Sequence, residues 1–482
     1  MCDCIDWERV PQGDGPAEYQ IEILDELAHR GRVCARGPHG LGKSTLEAWA
    51  ILWFALTSEG EDWKAITTAS AWRQLTVYLW PEVHKWNRFI DWAKVGRGPL
   101  MEKKELLDLA VKLRTGAASA VASNDHEKIE GAHADRLLFA YDESKIIPEE
   151  TWDASEGAFS TGECYGLAVS TPGLPQGRFF DIQSRKAGFE DWHVVHVKLD
   201  DAIKAGRISP EWAEQRRLQW GEDSALYKNR VLGEFADTSS DGVIPLQWVE
   251  DAIERWHEWD DAGRPGTLVS IGVDVGESDE GDPSALAPRI SVTEADGHEG
   301  VAIDEIQVFA GLDPIQTADR VEKLMEVWSD VNGRVQAIVD AIGIGSGTVA
   351  ALRKADRHVI PFISGAKPKR PKDSTGEFQF MNLRADAWWN LRELLDPVND
   401  PDLMLPPDKD DYLIGELTAP RYREAAGGKL AIESKDEIRK RLKRSTNLAD
   451  AVVQVMHERP LQLAKKISVS KRRSGQRSRV WK

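Results

Sequence analysis

Arg32-Val-Cys-Ala-Arg36 followed by Gly37-Pro-His-Gly-Leu-Gly42-Lys43-Ser44 decides the fold of the first half of the chain. Residues 32–36 read as a short strand, and the apolar run from Leu46 to Leu56 reads as a helix. Between them, residues 37–44 satisfy G-x-x-x-x-G-K-[ST], in the strand-to-helix context that gives this motif its meaning. Successive backbone N–H groups and the helix N-terminus would cradle the β- and γ-phosphates of a nucleotide. Lys43 would neutralise them and the Ser44 hydroxyl would ligate magnesium. The phosphate-binding set is therefore Gly37, Gly40, Gly42, Lys43, Ser44 and Thr45. A glycine-rich turn that matches by chance is the competing reading, and the flanking strand and helix weigh against it.

Working outward, Lys64–Ala69, Leu137–Tyr141 and Tyr165–Ser170 are further strand-like runs, spaced by helical patterns. Strands alternating with helices imply an α/β fold with a mostly parallel sheet. The run Leu137-Leu-Phe-Ala-Tyr-Asp142-Glu143 ends in two carboxylates. Hydrolysis of a bound nucleotide needs a metal-orienting acid and a water positioner at a neighbouring strand end. Asp142 would hold the magnesium and Glu143 would polarise the attacking water. Ser170-Thr171-Pro172 closes the next strand with two hydroxyls, a candidate coupling element. Taken alone, Ser-Thr-Pro is only a turn.

The chain has 482 residues, with 80 Asp plus Glu against 62 Lys plus Arg, a net charge of −18. At roughly 100 to 200 residues per domain, this length allows two to four domains and excludes a single small module. The acidic balance argues against coating nucleic acid through bulk charge, but not against a local basic groove. Four cysteines are too few for a disulfide framework, and none completes a zinc site. The longest apolar stretch is about half of the roughly 20 residues that cross a bilayer, and no signal sequence is evident. A soluble intracellular protein is expected. Residues 461–482 carry +8 with no acid, so the remainder of the chain is −26. Such a tail is expected to be disordered and open to a polyanion or acidic partner.

Turn formers cluster at both ends of 237–266, which marks a linker. The expected divisions are 1–236, with a lid-like helical region near 185–236, then 267–460, then the tail. In the second part, strands are expected at Leu268–Val273, Val301–Gln307 and Val335–Val339, and helices at Thr317–Ser329, Leu383–Leu395 and Asn447–His457. Two strands each deliver one acid: Ser270-Ile-Gly-Val-Asp274 and Val335-Gln-Ala-Ile-Val-Asp340, the latter followed by Gly343, Gly345 and Gly347. A third acid, Asp450, lies on the last helix. Converging carboxylates repel one another and are best explained by divalent cations between them. Two such metals can activate water and stabilise the leaving oxygen of a phosphodiester. Asp304 competes with Asp340, and Asp279 and Asp282 read as solvated loop acids. The basic loop Lys367-Pro-Lys369-Arg370-Pro-Lys372 would either contact a DNA backbone or serve solubility. The 19 Trp read as core and interface residues.

Several of these segments, taken in order, resemble the large terminase subunit of tailed bacteriophages. They are Glu18-Tyr19-Gln20, Ala35-Arg36 with the phosphate loop, Thr67 to Gln74, Tyr141-Asp142-Glu143, Ser170-Thr171-Pro172 and Asp223 to Phe235. The resemblance implies an N-terminal P-loop NTPase domain and a C-terminal ribonuclease H-like nuclease domain. It implies that Gln20 reads adenine, that Arg36 lies close to the nucleotide, and that Ser170 and Thr171 couple phosphate state to movement. Asp274, Asp340 and Asp450 become ligands of two Mg²⁺ or Mn²⁺ ions, with ATP and Mg²⁺ at the first site. The family's function is ATP-driven movement of double-stranded DNA into a procapsid and cutting of concatemeric DNA. Its partners are the portal protein, a small terminase subunit and further copies in a ring, commonly of five; its place is the host cytoplasm, with no membrane. Many relatives carry an Arg-Gly before the catalytic Glu that acts on a neighbour's ATP; here the comparable pair is Glu130-Gly131, with Arg136 or Arg178 as substitutes. Two alternatives remain: another ATP-dependent DNA enzyme such as a helicase-nuclease, and a nucleotide-switched assembly factor that does not cut.

Overall fold

The computed structural model describes residues 4–11, 13–123, 125–160, 162–236, 241–276, 283–293, 299–327, 335–408, 410–425, 428–442 and 444–458. The chain divides into two compact units, Met1–Asp237 and Thr238–Lys482.

In the first unit the strands are β1 (Arg32–Arg36), β2 (Trp63–Ala69), β3 (Leu106–Leu107), β4 (Ala110–Lys112), β5 (Gly116–Ala120), β6 (Arg136–Asp142), β7 (Glu163–Ser170) and β8 (His193–His196). They form one sheet in the order β3-β4-β5-β2-β6-β7-β1-β8. From β5 to β8 every pairing is parallel, and β3 and β4 add an antiparallel edge. Parallel neighbours need crossover connections, which the intervening helices supply. The Lys43–Ser58 helix has Trp49, Ile51, Leu52 and Phe54 all fully buried, the pattern of a core helix rather than a surface one. Register sets Arg36 opposite Ser170 and Asp142 opposite Val169, so β1, β6 and β7 end on one edge. The region 185–236 is not wholly a helical lid: β8 joins the main sheet beside β1, ahead of helices Leu199–Lys204 and Pro210–Trp220.

In the second unit β9 (Thr267–Asp274), β10 (Ser284–Thr293) and β11 (Glu299–Ile303) form an antiparallel meander. β13 (Gln336–Asp340) and β14 (His358–Phe362) extend it in parallel on the β9 side. β16 (Leu403–Met404) closes the far edge, and β12 (Gln307–Phe309) pairs with β10. The Asn447–His457 helix packs on β9 and β10. A smaller sheet joins β15 (Gln379–Phe380), β18 (Lys429–Ile432) and β17 (Tyr422–Ala425).

Two further expectations need revision. The segment 237–266 is not merely a linker, because its Leu246–Asp261 helix buries Trp256 and Trp259 in the second unit's core with Ile271, Leu286 and Val339. The expected strand 301–307 is two strands, broken at residues 304–306 where Asp304 turns to pair with Arg264 at 3.1 Å. The central strand β10 has no counterpart in the sequence reading. It carries Pro288 in its interior, a residue that argues against a central strand, and its register with β9 shifts just beyond, between Arg289 and Ile290. The tail 461–482, Asp279 and Asp282 lie outside the described residues.

Candidate active sites

The first site grows from the sheet edge where β1, β6 and β7 end. Gly40 and Gly42 have φ of 81° and 72°, the left-handed region open to glycine, and Gly42 caps the Lys43–Ser58 helix. The first helical bond is Leu46 N–H to the Gly42 carbonyl. The N–H groups of Lys43, Ser44 and Thr45 thus belong to the orphan donors of a helix start, suited to an anion. A Cβ on Gly37 would meet the Val197 carbonyl at 2.9 Å, so the loop packs closely against its neighbours.

Lys43 Nζ donates to Thr171 Oγ1 at 2.7 Å and stands 3.7 Å from Glu143 Oε1. The Ser170 hydroxyl donates to Glu143 Oε2 at 3.1 Å. Loop lysine, strand-end glutamate and both hydroxyls therefore form one cluster, with Ser44 in the first turn beside it. Glu143 holds φ 46° and ψ 50°, a strained backbone for a residue with a side chain. Asp142 is buried and accepts the Glu143 N–H at 2.9 Å. Burial, then the Glu143 charge, pushes its carboxyl up, with Lys43 opposing. A buried neighbour escaped the sequence reading. Glu47, one helical turn after Lys43, is buried, and its carboxyl is raised well above the usual range by burial and then by Asp142 and Glu143. A Glu four residues after the loop lysine, on the same helical face, is the signal that would have found it.

Gln20 and Arg36 both line the small cavity beside the phosphate loop, with Gly37, Gly42 and Lys43. Gln20 Nε2 donates to the Leu41 and Gly42 carbonyls at 3.3 and 3.1 Å, bracing the phosphate loop itself. Arg36 donates to Gln183 Oε1 at 2.8 Å and lies over the Phe235 ring. The Thr45 hydroxyl donates to Glu82 at 2.9 Å. Both arginines proposed to act on a neighbour are held within the chain: Arg136 by Glu163, and Arg178 by Glu149 and Asp153.

The second site forms where β9 and β13 end side by side, Val273 opposite Val339, delivering Asp274 and Asp340. The Asn447–His457 helix brings Asp450 across them. It can do so because residue 272 is glycine: a Cβ there would meet the Ala451 carbonyl at 2.0 Å. A Cβ on Gly345 would meet the Asp340 carbonyl at 1.8 Å, so the turn after β13 has the same requirement.

At the centre is a residue the sequence reading missed. Lys435 Nζ lies 2.8 Å from Asp274, 3.3 Å from Asp450 and 3.6 Å from Asp340. Burial alone would lower its pKa, but the three carboxylates hold it well above the usual lysine value. Asp450 also accepts Arg384 and Thr446, each at 2.7 Å. Burial would raise Asp450, yet Arg384, Lys435 and Thr446 bring it below the ordinary value. Asp274 moves the other way, raised by burial against the pull of Lys435. Among the described residues no three Asp, Glu, His or Cys side chains form a ready metal cage. The three carboxylates are nonetheless hard oxygen donors suited to Mg²⁺ or Mn²⁺, and they converge where an ammonium already stands as a cation. Asp304, paired with Arg264, is outside this cluster.

The comparisons bear on this geometry. No family model matches the sequence. A protein named "Probable terminase, large subunit" from Enterobacteria phage P7 is 24% identical over 259 residues, 50% of each chain. The chain resembles phage large terminase subunits. This terminase-like match spans about half the length of the curated relative. Among solved structures, the large terminase of the thermophilic bacteriophage D6E aligns with TM-score 0.40 and 13% identity, over 89% of this chain and 97% of that one. The nuclease domain of the large terminase subunit of bacterial virus Sf6 aligns with TM-score 0.35 and 22% identity, over 45% and 99%.

Proposed function

We propose that this chain is an ATP-driven DNA-packaging motor and nuclease of the large-terminase type. The observation that carries this reading is the pairing of two chemistries in one chain, each at the carboxyl ends of its unit's strands. In the first unit, Gly37–Thr45 and Lys43 would hold the ATP phosphates, and Ser44 and Asp142 would hold Mg²⁺. Glu143 would orient the attacking water, while the Thr171 and Ser170 hydroxyls, already on Lys43 and Glu143, would register the loss of the phosphate. In the second unit, Asp274, Asp340 and Asp450 would hold divalent cations. When bound, these supply activation of water and stabilisation of the leaving oxygen of a phosphodiester. Arg384 and Thr446 orient Asp450, and Lys435 keeps the carboxylates from repelling one another in the metal-free state. Double-stranded DNA, the portal, a small terminase subunit and a homo-oligomeric ring in the host cytoplasm complete the reading. Among the described residues no helix is long and apolar enough to cross a membrane.

Two measurements test it. Plasmid cleavage by the wild type in Mn²⁺ is expected to vanish in Asp274→Ala and persist in Lys43→Ala, while ATP hydrolysis shows the opposite pattern. Absence of cleavage under every divalent metal would sink the nuclease half. ATP hydrolysis is expected to rise on adding procapsids that carry portal; no stimulation would favour a different ATP-dependent DNA enzyme.

A further inference from the structure

Isoleucine is among the residues most often fully buried, so several exposed at one place mark a surface with an occupant. In the second unit Ile315, Ile342, Ile344 and Ile363 are between 36% and 65% exposed. All four lie at the sheet edge that carries the carboxylates. β13 ends at Asp340 opposite Phe362, and the Ala341 N–H donates to the Phe362 carbonyl at 2.9 Å, so Ile342 and Ile363 leave neighbouring strand ends. The Ile342 N–H donates to Asp340 Oδ1 at 3.0 Å, which ties its main chain to the carboxylate. Ile344 opens the Gly345–Lys354 helix, whose Thr348 hydroxyl donates to the carbonyl of Pro314, next to Ile315, at 3.1 Å. Asp274 and Asp450, by contrast, are buried. A straight duplex resting on this rim would hold its phosphates away from them unless rim side chains enter a groove.

The rim also borders a cation. An Ala366 N–H to Ile363 carbonyl bond of 2.9 Å closes the turn that leads to Lys367. In that loop Lys369 pairs with Glu458 and Arg370 with Asp386 and Glu393, while Lys372 donates to the Gly376 carbonyl at 2.8 Å. Lys367 is exposed and has no ion pair among the described residues. An apolar rim with a spare cation on one side and carboxylates on the other suits sugar and base edges flanked by phosphates, which is the groove of a nucleic acid.

We propose that Ile342 and Ile363 enter a groove of duplex DNA beside the phosphate to be cut and open the base stack there, while Lys367 holds the adjoining backbone. The inference rests on the nuclease reading above and names the residues that bring its substrate down to the carboxylates. Apolar side chains wedged into a groove partly unstack base steps and bend the duplex. Unstacking is easiest where bases are already mispaired, so the isoleucines matter for an intact duplex and little for one that is already open.

The test uses the full chain in Mn²⁺ with an end-labelled, fully paired duplex and the same duplex carrying a central mismatched bubble. Ile342→Ser/Ile363→Ser keeps the main-chain bond to Asp340. It is expected to slow cutting of the paired duplex at least tenfold, yet cutting inside the bubble by no more than about twofold. Lys367→Gln should slow both alike and reduce the salt slope of duplex binding in EDTA, read by fluorescence anisotropy, by about 1. Melting curves and light scattering verify the fold and the mass of each variant. Equal slowing of both substrates by the folded serine pair, slowing of neither, or an unchanged salt slope in Lys367→Gln would overturn the proposal. A changed mass in the serine pair would also overturn it, because the rim would then be a contact between proteins. A wild type that cuts neither duplex contradicts the nuclease reading instead.

Discussion

Glu143 keeps a left-handed backbone, and its contacts with Ser170 and Lys43 hold its side chain beside the phosphate-loop lysine, a strained placement that packing alone does not require. Glu143→Gln keeps its shape but cannot polarise water, and is expected to lower ATP turnover at least a hundredfold while fluorescent-ATP binding persists. Lys435 makes a different kind of statement. Without its ammonium three buried carboxylates face one another, so Lys435→Ala should lose about 3 kcal/mol in EDTA and regain most of it in Mn²⁺. Thermal melts of variant and wild type with and without Mn²⁺ measure this; an equal metal shift in both would refute it. Asp386 supplies a pH-dependent case. Burial would raise its carboxyl, but hydrogen bonds from His457 and Arg370 hold it well below the usual carboxylate range. A carboxyl depressed in the fold contributes stability above its unfolded value near 3.8 and loses it as pH falls through the folded one. Asp386→Asn should therefore cost about 3 kcal/mol at pH 7 and progressively less below pH 3.8, read from urea midpoints.

At the scale of elements, the close seating of the Asn447–His457 helix on β9 depends on the missing side chain of Gly272. Gly272→Val must displace that helix, and Asp450 with it, so DNA cleavage should be lost while ATP hydrolysis survives; retained cleavage would show that the helix can shift without harm. The strands that end in chemistry are legible in the sequence, because a buried apolar run that stops at Asp142, Asp274 or Asp340 places a carboxylate at a sheet edge by its pattern alone. β10 is not legible in this way, since Pro288 interrupts its pattern, and only its pairing with β9 on one side and β11 on the other reveals it as central. Lys435 is equally hidden. Within Lys435-Asp-Glu-Ile-Arg-Lys-Arg a lysine reads as solvated charge, and only the return of the β17–β18 hairpin carries it to the carboxylates. Gln20 and Arg36 stand out by resemblance, but nothing in their spacing could say that one braces the loop and the other turns to Gln183.

For the whole molecule, the two units have separate cores, and the fragment 238–482 is expected to fold and cut DNA in Mn²⁺ without ATPase activity. Circular dichroism and plasmid nicking would check this; an unfolded fragment would show that the second unit requires the first. Helix 447–457 is restrained at both ends. Arg289 on β10 donates to its final carbonyls at Val455 and Glu458, at 3.0 and 2.8 Å, while Glu416 accepts the Ala449 N–H at 3.0 Å near its start. The proposed cleavage site thus draws on Asp274, Asp340, Lys435 and Asp450 in one folded unit, whereas the side chains of the proposed phosphate site all precede residue 172. On the proposed function, a chain still emerging from the ribosome would complete its phosphate-loop side chains early, yet could not cut until helix 447–457 has docked. On that reading, the order of synthesis would keep unfinished copies harmless to the DNA around them.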